Sequence, residues 1–332
     1  MIERSGLHIV EIELTNQCNL NCKHCYVEKE KIHTLEEKQV IDLIDTLSEL
    51  GIYRMVFTGG EPLLIPQIFY FAKYAKTKKI PQLVLMTNGL LINEKNIEDL
   101  KIFDLIQLSI DVPPNEKPQF RVDYFKDLES KIDLLKKNNI KVHLQATVNK
   151  SSKLELLSKF SKEKNVTLGL NRLVLTGNAK NLIKENLNSS ELKDTLKKIA
   201  ELKKENKLIR CSDHLLFLVD NERMDLFKNS PKKNISGGCI AGVSTLYIKS
   251  NGDVLICPFV KFPISNISNE NIKNIWFNNN ILTKLRNREN LTGKCKECIY
   301  RSFCGGCRGA SLSSSGSLFG SDPNCWLTPN QF

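Results

Sequence analysis

Residues 15–26 read TNQCNLNCKHCY, and this stretch places Cys18, Cys22 and Cys25 in the spacing Cys-x3-Cys-x2-Cys. Three thiolates on one short loop can hold three irons of a cubic [4Fe-4S] cluster, which leaves the fourth iron open to a reactive ligand. A structural zinc site, in contrast, closes its coordination with four ligands. A zinc knuckle, or three cysteines with no shared role, is the alternative interpretation. The odd number of ligands favours a cluster whose open iron binds a substrate or a cofactor.

The sequence on either side of this loop predicts a strand before it and a helix after it. Residues 7–14 (LHIVEIEL) are mostly apolar, as expected of a strand. Residues 34–37 (TLEE) form a predicted capping box that opens an amphipathic helix, and Gly51 is its predicted stop. In parallel α/β folds, ligands bind at the carboxyl ends of the strands. The cysteine loop is therefore predicted to lie at the ligand-binding edge of a parallel sheet.

Beyond this first helix, strand and helix signals alternate up to about residue 174. Predicted strands cover residues 54–57, 82–86, 104–110, 141–148 and 166–174, and predicted helices cover residues 68–76, 96–100, 124–137 and 154–160. With the strand at residues 7–14 this makes six strands, and the intervening helices imply parallel pairing through right-handed crossovers. Six such units are three quarters of a (β/α)8 barrel, although a doubly wound sheet fits the pattern equally well.

A second motif follows the second predicted strand, where residues 58–62 read TGGEP. Two glycines let the backbone approach a ligand closely, and a nearby acceptor can hold an ammonium group. Gly-Gly alone would indicate only a tight turn. One β/α unit after the cysteine loop, however, this segment resembles the GGE motif of the radical S-adenosylmethionine (SAM) enzymes, whose signature the cysteine spacing also resembles. The resemblance implies an α/β fold with a partial (β/α)6 TIM-like barrel, in which a [4Fe-4S] cluster cleaves SAM to a 5'-deoxyadenosyl radical.

The same resemblance nominates residues that bind SAM beside the cluster held by the three cysteines. The candidates come from the cysteine loop, from the second motif and from later strand ends, and they are His24, Gly59, Gly60, Glu61, Pro62, Asn88, Ser109, Arg121, Asn149 and Arg172. After the fourth strand the chain departs from the family's Ser-hydrophobic-Asp-Gly pattern, because VPP at residues 112–114 replaces the glycine. For each of the single polar residues at later strand ends, a surface or helix-capping role is the alternative.

The last third of the chain is rich in glycine and carries a second array of thiols. Its cysteines are Cys239, Cys257, Cys295, Cys298, Cys304, Cys307 and Cys325. The SNGD sequence at residues 250–253 predicts a β-hairpin that brings the first two of them together. A zinc site is the alternative for the run Cys-x2-Cys-x5-Cys-x2-Cys. Seven cysteines do not divide into four-ligand zinc sites, whereas they allow one cluster with four ligands and one with three.

This array resembles the SPASM domain, a C-terminal module of many radical SAM enzymes that holds two auxiliary iron-sulfur clusters. The resemblance assigns an outer [4Fe-4S] cluster to Cys295, Cys298, Cys304 and Cys325. It assigns an inner cluster, [4Fe-4S] or [2Fe-2S], to Cys239, Cys257 and Cys307. The remaining Cys211 is a candidate hydrogen-atom donor or ligand, with an ordinary buried thiol as the alternative. We expect a radical SAM core at residues 1–205, a bridging region at 206–238 and a SPASM domain at 239–332.

The composition agrees with a redox enzyme of the reducing cytoplasm. Eleven cysteines without an export signal argue for thiolates that bind metal, since disulfides are rare in the cytosol. No run of about 20 apolar residues exists that could span a membrane. The formal net charge of +11 falls to roughly +7 when ten thiolates and three clusters are counted. The lysines are scattered along helical stretches rather than interleaved with aromatic residues, so we expect neither a nucleic-acid nor a membrane partner.

The resemblance implies an enzyme that abstracts a hydrogen atom and modifies its substrate oxidatively. Most SPASM enzymes act on peptides or proteins, so a peptide maturase is the main expectation. Since only 17 residues precede Cys18, a separate protein would recognise the leader peptide, and flavodoxin or ferredoxin would supply electrons. Residues 304–310 (CGGCRGA) equally resemble the radical SAM decarboxylases of the alternative haem pathway, which makes tetrapyrrole modification the second hypothesis. A non-catalytic metal-binding module is the third, and the GGE segment argues against it because such a module needs no SAM site.

Overall fold

The computed structural model describes residues 6–29, 31–114, 116–121, 127–220 and 238–328. One sheet runs through these residues, with ten strands in the order β10-β9-β8-β1-β2-β3-β4-β5-β6-β7. The strands are β1 Ile9–Glu13, β2 Arg54–Thr58, β3 Gln82–Thr87, β4 Leu105–Ser109, β5 Val142–Val148, β6 Thr167–Arg172, β7 Ile209–Cys211, β8 Thr245–Ile248, β9 Asp253–Leu255 and β10 Ser265–Asn266. Each pair of neighbouring strands from β8 through β1 to β7 is parallel, whereas the pairs β8–β9 and β9–β10 are antiparallel.

Among the described residues, six helices follow parallel strands and five more follow β10. They are α1 Glu37–Glu49, α2 Ile68–Thr77, α3 Ile97–Leu100, α4 Leu128–Lys137, α5 Leu154–Lys164, α6 Ser189–Glu205, α7 Ile272–Asn278, α8 Asn280–Arg286, α9 Lys294–Glu297, α10 Arg301–Cys304 and α11 Arg308–Ser315. In α1 the buried residues are Val40, Leu43, Ile44 and Leu47, the spacing of one helical face. Burying each such side chain contributes about 1.5–3 kcal/mol, so this face holds the helix on the core.

The two faces of the sheet have different chemistry because side chains alternate along a strand. In β5, Val142, Leu144, Ala146 and Val148 are buried in the hydrophobic core. The alternate residues of the same strand are His143, Gln145 and Thr147, and the last two line a cleft on the opposite face of the sheet. The helix-covered face therefore supplies the stability of the fold, and the opposite face is left polar for a ligand.

The parallel α/β prediction is confirmed, and all six predicted strands are present. A seventh parallel strand, β7, extends the sheet; its three residues are too few to give a periodic signal in the sequence. The predicted hairpin is also confirmed as the antiparallel pair β8 and β9. Among the described residues the sheet does not close into a barrel, since β7 and β10 form its two edges. The domain boundaries at residues 205 and 238 stay predictions, and β8 joins the sheet directly beside β1.

The predicted capping box at residues 34–37 is wrong in its position. The N-cap of α1 is Glu36, whose backbone N–H donates to Gln39 Oε1 (2.9 Å). Thr34 instead bridges to Thr15, with a hydrogen bond of 2.9 Å between the two hydroxyl groups, because this segment runs beside the end of β1. The first three residues of the helix predicted at 124–137 lie outside the described residues. Across the described ranges, no helix combines the length and apolarity needed to cross a membrane.

Candidate active site

The cysteine loop after β1 is fixed against the glycine pair after β2. Gly60 N–H donates to Thr15 O (2.7 Å), and Glu61 N–H donates to Gln17 O (2.8 Å). A Cβ atom on Gly59 would stand 2.3 Å from Thr15 O, and one on Gly60 would stand 2.1 Å from Gln17 O. Only glycine allows the two backbones to approach this closely. The close approach places the three cysteines beside the second motif, as a shared site requires.

Glu61 ties the ends of β2 and β3 together from behind the site. Its fully buried carboxylate accepts hydrogen bonds from Thr87 Oγ1 (2.7 Å) and from the backbone N–H groups of Asn88 (2.9 Å) and Leu63 (3.1 Å). Burial raises the pKa of Glu61 to about 7 in spite of these bonds. Neither Glu61 nor the buried Pro62, which begins the next turn, lines the cleft. The acceptors that this motif presents to a ligand are therefore those of its glycine backbone.

A cleft with a cavity volume of about 240 Å³ lies at the carboxyl ends of β1 to β6. The three loop cysteines line it together with seven of the ten predicted SAM-binding residues, which are His24, Gly59, Gly60, Asn88, Ser109, Arg121 and Arg172. Asn149 is outside the lining: its side chain accepts the Ser151 N–H (2.8 Å) and holds the turn after β5. The structure thus brings most of the predicted set together, and the position of Asn149 favours the capping alternative.

A polar group at one wall of the cleft joins the cysteine loop to the end of β4. Arg121 forms an ion pair with Asp111 (2.8 Å) and a hydrogen bond with His24 Nε2 (3.1 Å). Burial, together with the neighbouring Arg121 charge, lowers the pKa of His24 to about 4, so its ring is neutral near pH 7. His24 Nδ1 and Asp111 Oδ2 are buried and have no partner among the described residues. These two atoms leave hydrogen-bonding capacity for a bound ligand.

The cysteine loop itself fits an iron-sulfur cluster. Burial raises the pKa of Cys22 to about 11, and it also raises the pKa of Cys18. Such thiols become thiolates when a bound metal supplies the compensating charge. Leu20 N–H already donates to Cys18 Sγ (3.4 Å), the kind of contact that stabilises a ligating sulfur. The donor set is therefore suited to a metal cluster rather than to free thiolate chemistry.

Sequence reasoning missed the polar floor of the cleft. Gln107, Gln145, Thr147 and Asn171 reach it from β4, β5 and β6, and Glu11 reaches it from β1. Glu11 is the one carboxylate among the described lining residues. Burial raises the pKa of Glu11 to about 7 although the Arg54 charge opposes the shift. The sequence signal that could have identified this floor is a set of polar residues inside strands that are otherwise apolar.

The four cysteines of the predicted outer cluster line one small cavity, and they are Cys295, Cys298, Cys304 and Cys325. Apolar side chains, including Leu215 and Phe217, form other parts of its wall. Gly306 N–H donates to Cys304 Sγ (3.4 Å). A largely apolar cavity lined by four thiols, with an N–H donor to one sulfur, fits a fully ligated cluster.

The three cysteines of the predicted inner cluster are also neighbours. Burial raises the pKa of Cys257, and the adjacent Cys239 and Cys307 raise it further. Ala310 N–H donates to Cys307 Sγ (3.4 Å). Phe259, two residues after Cys257, lines the cleft, so this group stands closer to the predicted SAM site than the outer one does. The ligand assignments stay predictions, and the structure brings each predicted set together.

No three Cys, His, Asp or Glu side chains in the described ranges converge on the position of one metal ion. The ligand sets of the clusters and the zinc alternative stay predictions from the sequence.

Arg172 and Cys211 have surroundings that the sequence did not indicate. Arg172 is buried and pairs with Asp213 (3.1 Å) and Asp322 (2.6 Å), and Asp322 also accepts the Cys307 N–H (2.9 Å). Arg172 thus connects the end of β6 to the inner cysteine group. Cys211 lies at the end of β7 in the hydrophobic core and lines neither the cleft nor the outer cavity. Its role as donor or ligand stays a prediction, and its position favours an ordinary buried thiol.

Comparison with known proteins agrees with this geometry. The AdoMet-dependent heme synthase of Methanosarcina barkeri is 27% identical over 345 residues, which cover 97% of this chain and 97% of that protein. The pre-heme d1 synthase of Dinoroseobacter shibae is 27% identical and covers 96% of this chain and 86% of its own length. The subtilosin biosynthesis protein AlbA of Bacillus subtilis is 24% identical, with 91% of this chain and 67% of that protein covered.

The fold and the family follow from two further comparisons. The structure of Streptococcus suis SuiB bound to S-adenosylmethionine matches 97% of this chain and 77% of its own, with a TM-score of 0.78 and 18% identity. A family model described as Radical SAM superfamily matches residues 12–150, and the SPASM model, an iron-sulfur cluster-binding domain, matches residues 239–299. The chain therefore carries a radical SAM domain and a C-terminal SPASM domain, and these two domains imply SAM and iron-sulfur clusters as its cofactors.

Proposed function

We propose that this radical SAM enzyme modifies a tetrapyrrole by removing carbon dioxide from a propionate side chain. Loss of one hydrogen atom, one carbon dioxide molecule and one electron converts the propionate into a vinyl group, so the net reaction is an oxidation. This proposal replaces the peptide maturase as the main hypothesis. The relatives that align over 96–97% of this chain include enzymes named for heme and pre-heme d1 synthesis.

The position of a cationic cleft beside the cysteine loop is the observation that carries the proposal. The cleft lies at the carboxyl ends of the strands, where Cys18, Cys22 and Cys25 line it together with the glycine pair. A substrate held there would lie beside SAM, as hydrogen transfer between the two requires.

The charges around the cleft suit a substrate with carboxylate groups. Three cationic side chains line it, those of Lys29, Arg121 and Arg172. Glu11 supplies the one carboxylate among the described lining residues. Arg121 and Arg172 already pair with acidic residues, whereas Lys29 has no carboxylate partner in the described ranges. Lys29 is therefore our candidate for holding a substrate carboxylate.

The residues of the chain act by binding and orientation. Cys18, Cys22 and Cys25 would hold the first cluster, and the backbone at Gly59 and Gly60 would contact SAM. When bound, these cofactors supply the 5'-deoxyadenosyl radical that takes the hydrogen atom, and the auxiliary clusters supply an acceptor for the electron. The polar floor would hold the substrate by hydrogen bonds from the strands. Because strands are rigid supports, they can keep the reacting atoms at contact distance, where a 1 Å error costs about 100-fold in rate.

The test is anaerobic turnover with reconstituted enzyme, SAM and dithionite. One sample receives an iron porphyrin that carries propionates, and another receives a cysteine-containing peptide. The proposal predicts that only the porphyrin stimulates 5'-deoxyadenosine release. It also predicts that each converted propionic acid, weighed in its neutral form, loses carbon dioxide and two hydrogens, one as the abstracted atom and one as the acid proton. Cys22→Ala should abolish both signals. Stimulation by the peptide together with an unchanged porphyrin would contradict the proposal and return the peptide hypothesis, which the similarity to AlbA keeps in view.

A further inference from the structure

Three arginines in the C-terminal part of the chain carry a buried nitrogen without a partner among the described residues, and two of them, Arg288 and Arg308, lie beside the auxiliary cysteines. Arg288 Nη1 and Arg308 Nη2 have no hydrogen-bond partner among the described residues. The rest of each guanidinium is held firmly: Arg308 Nη1 donates to Leu318 O (2.7 Å) and Gly320 O (2.8 Å), and Arg288 Nη2 donates to Cys239 O (2.6 Å). Buried donors in native proteins are almost always paired, so each of these indicates a missing acceptor.

Both guanidinium groups lie beside the auxiliary cysteines. A Cβ on Gly306 would meet Arg308 Nη2 at 2.6 Å and Cys295 Sγ at 3.2 Å, so this nitrogen and this sulfur flank the same glycine. A Cβ on Gly305 would stand 2.4 Å from Arg288 Cζ. The two glycines between Cys304 and Cys307 thus leave the space that the guanidinium groups occupy next to the thiols.

The charge of these arginines is also uncompensated. Neither forms an ion pair with a carboxylate within the part of the chain that the structure describes, and Arg308 is fully buried. A buried charge without a partner is strongly destabilising. The buried Arg172, in contrast, pairs with two carboxylates, those of Asp213 and Asp322. The fold itself therefore supplies the counter-charge of Arg172, whereas the described residues supply none to Arg288 and Arg308. The missing negative charge is therefore expected from a bound group.

A four-thiolate cluster carries the charge and the acceptors that are missing. A [4Fe-4S] core of about +2 with four cysteine thiolates has a net charge of about −2, which two guanidinium groups match. We propose that Arg288 and Arg308 are positioning residues for the auxiliary clusters: their unpartnered N–H groups donate to cluster sulfur, and their charges offset the charge of the outer cluster. Net charge and hydrogen bonds to sulfur set the reduction potential of such a cluster. The two arginines accordingly hold that potential at a higher value than the cysteines alone would give.

The test measures potentials and does not depend on the tetrapyrrole proposal. The full chain is prepared with Cys18, Cys22 and Cys25 changed to Ala, so that only auxiliary clusters contribute to the electron paramagnetic resonance signal. Arg288→Gln and Arg308→Gln are then compared in a redox titration after anaerobic reconstitution. We expect each to shift the reduction equilibrium of an auxiliary cluster at least tenfold toward the oxidised state, which is about 59 mV for one electron.

Arg286→Gln is the matched control. Its Nη2 is also buried and without a partner among the described residues, but the side chain stacks on the Trp276 ring at 4.0 Å. Its potentials should equal those of the parent. Full iron content in both test variants, with potentials equal to that of the control, would overturn the proposal. If Arg308→Gln fails to retain iron, the charge role of Arg308 is tested with Arg308→Lys. Iron retained by the lysine variant supports that role, and iron lost from it overturns the role.

Discussion

The packing of Gly60 against the cysteine loop makes Gly60→Ala a sharp test of the site. The added Cβ would stand 2.1 Å from Gln17 O, 2.5 Å from Gln17 C and 2.6 Å from Asn16 O. All three contacts are with backbone, which cannot rotate away as a side chain can. The residue that must move is the immediate neighbour of Cys18, so the substitution displaces a predicted cluster ligand.

The magnitude follows from the geometry. Relieving such contacts requires the two backbones to separate by about 1 Å, and the Gly60 and Glu61 N–H bonds to the loop (2.7 and 2.8 Å) resist this. Overpacking of this kind costs about 1–3 kcal/mol of stability. A displacement of about 1 Å at reacting atoms costs about 100-fold in rate. We therefore expect a folded protein with at least a 100-fold loss of SAM cleavage.

The assay is release of 5'-deoxyadenosine under dithionite, with iron content and thermal unfolding measured on the same samples. Gly51→Ala is the control, because Gly51 has a φ of +66° and nothing within 4 Å of an added Cβ. It should lose about 1–2 kcal/mol through backbone strain alone and keep SAM cleavage. Wild-type cleavage by Gly60→Ala, at full iron content, would refute the close approach on which the site rests.

Three further outcomes are expected. Cys211→Ala should cost about 1 kcal/mol as a small core truncation and leave both iron content and SAM cleavage unchanged; loss of either would show that Cys211 is a ligand or donor. Because burial raises the pKa of Glu11 to about 7, the KM for an anionic substrate should rise as the pH increases through 7, where the ionised carboxylate repels it, and Glu11→Gln should flatten this profile. A KM that falls over the same range would contradict that sign. Reconstituted protein should contain about 12 irons per chain and Cys304→Ala about four fewer, whereas stoichiometric zinc would contradict the three-cluster account.

The parts of the fold that the sequence predicted are those with strong local patterns. Alternation in β5 and the helical spacing in α1 each depend on a buried face, so the pattern survives in the sequence. The cap of α1 was misplaced because Thr34 is engaged by Thr15, a contact 19 residues away in the chain. β7 was missed because its pairing with β6, rather than its own three residues, makes it a strand.

The candidate site also contains residues that local motifs predict and residues that only distant contacts bring together. Cysteine spacing and the glycine pair carry their chemistry within a few residues, so motif reasoning located them. Glu11 and Arg308 were not identified as functional, because their surroundings come from distant segments: Glu11 faces the cleft through its strand position, and Arg308 is buried against residues 318–320. The partners of Arg172 at 213 and 322 are equally remote. Only the folded chain reveals which polar residues become buried together.

The most direct test of the central claim is where the hydrogen atom comes from. The substrate is an iron porphyrin whose propionate methylene groups carry deuterium, and 5'-deoxyadenosine is analysed by mass spectrometry after a single anaerobic turnover. The account predicts one deuterium in the 5'-deoxyadenosine and a vinyl group with loss of carbon dioxide in the porphyrin. Unlabelled 5'-deoxyadenosine, formed at the same rate with and without the porphyrin, would contradict it.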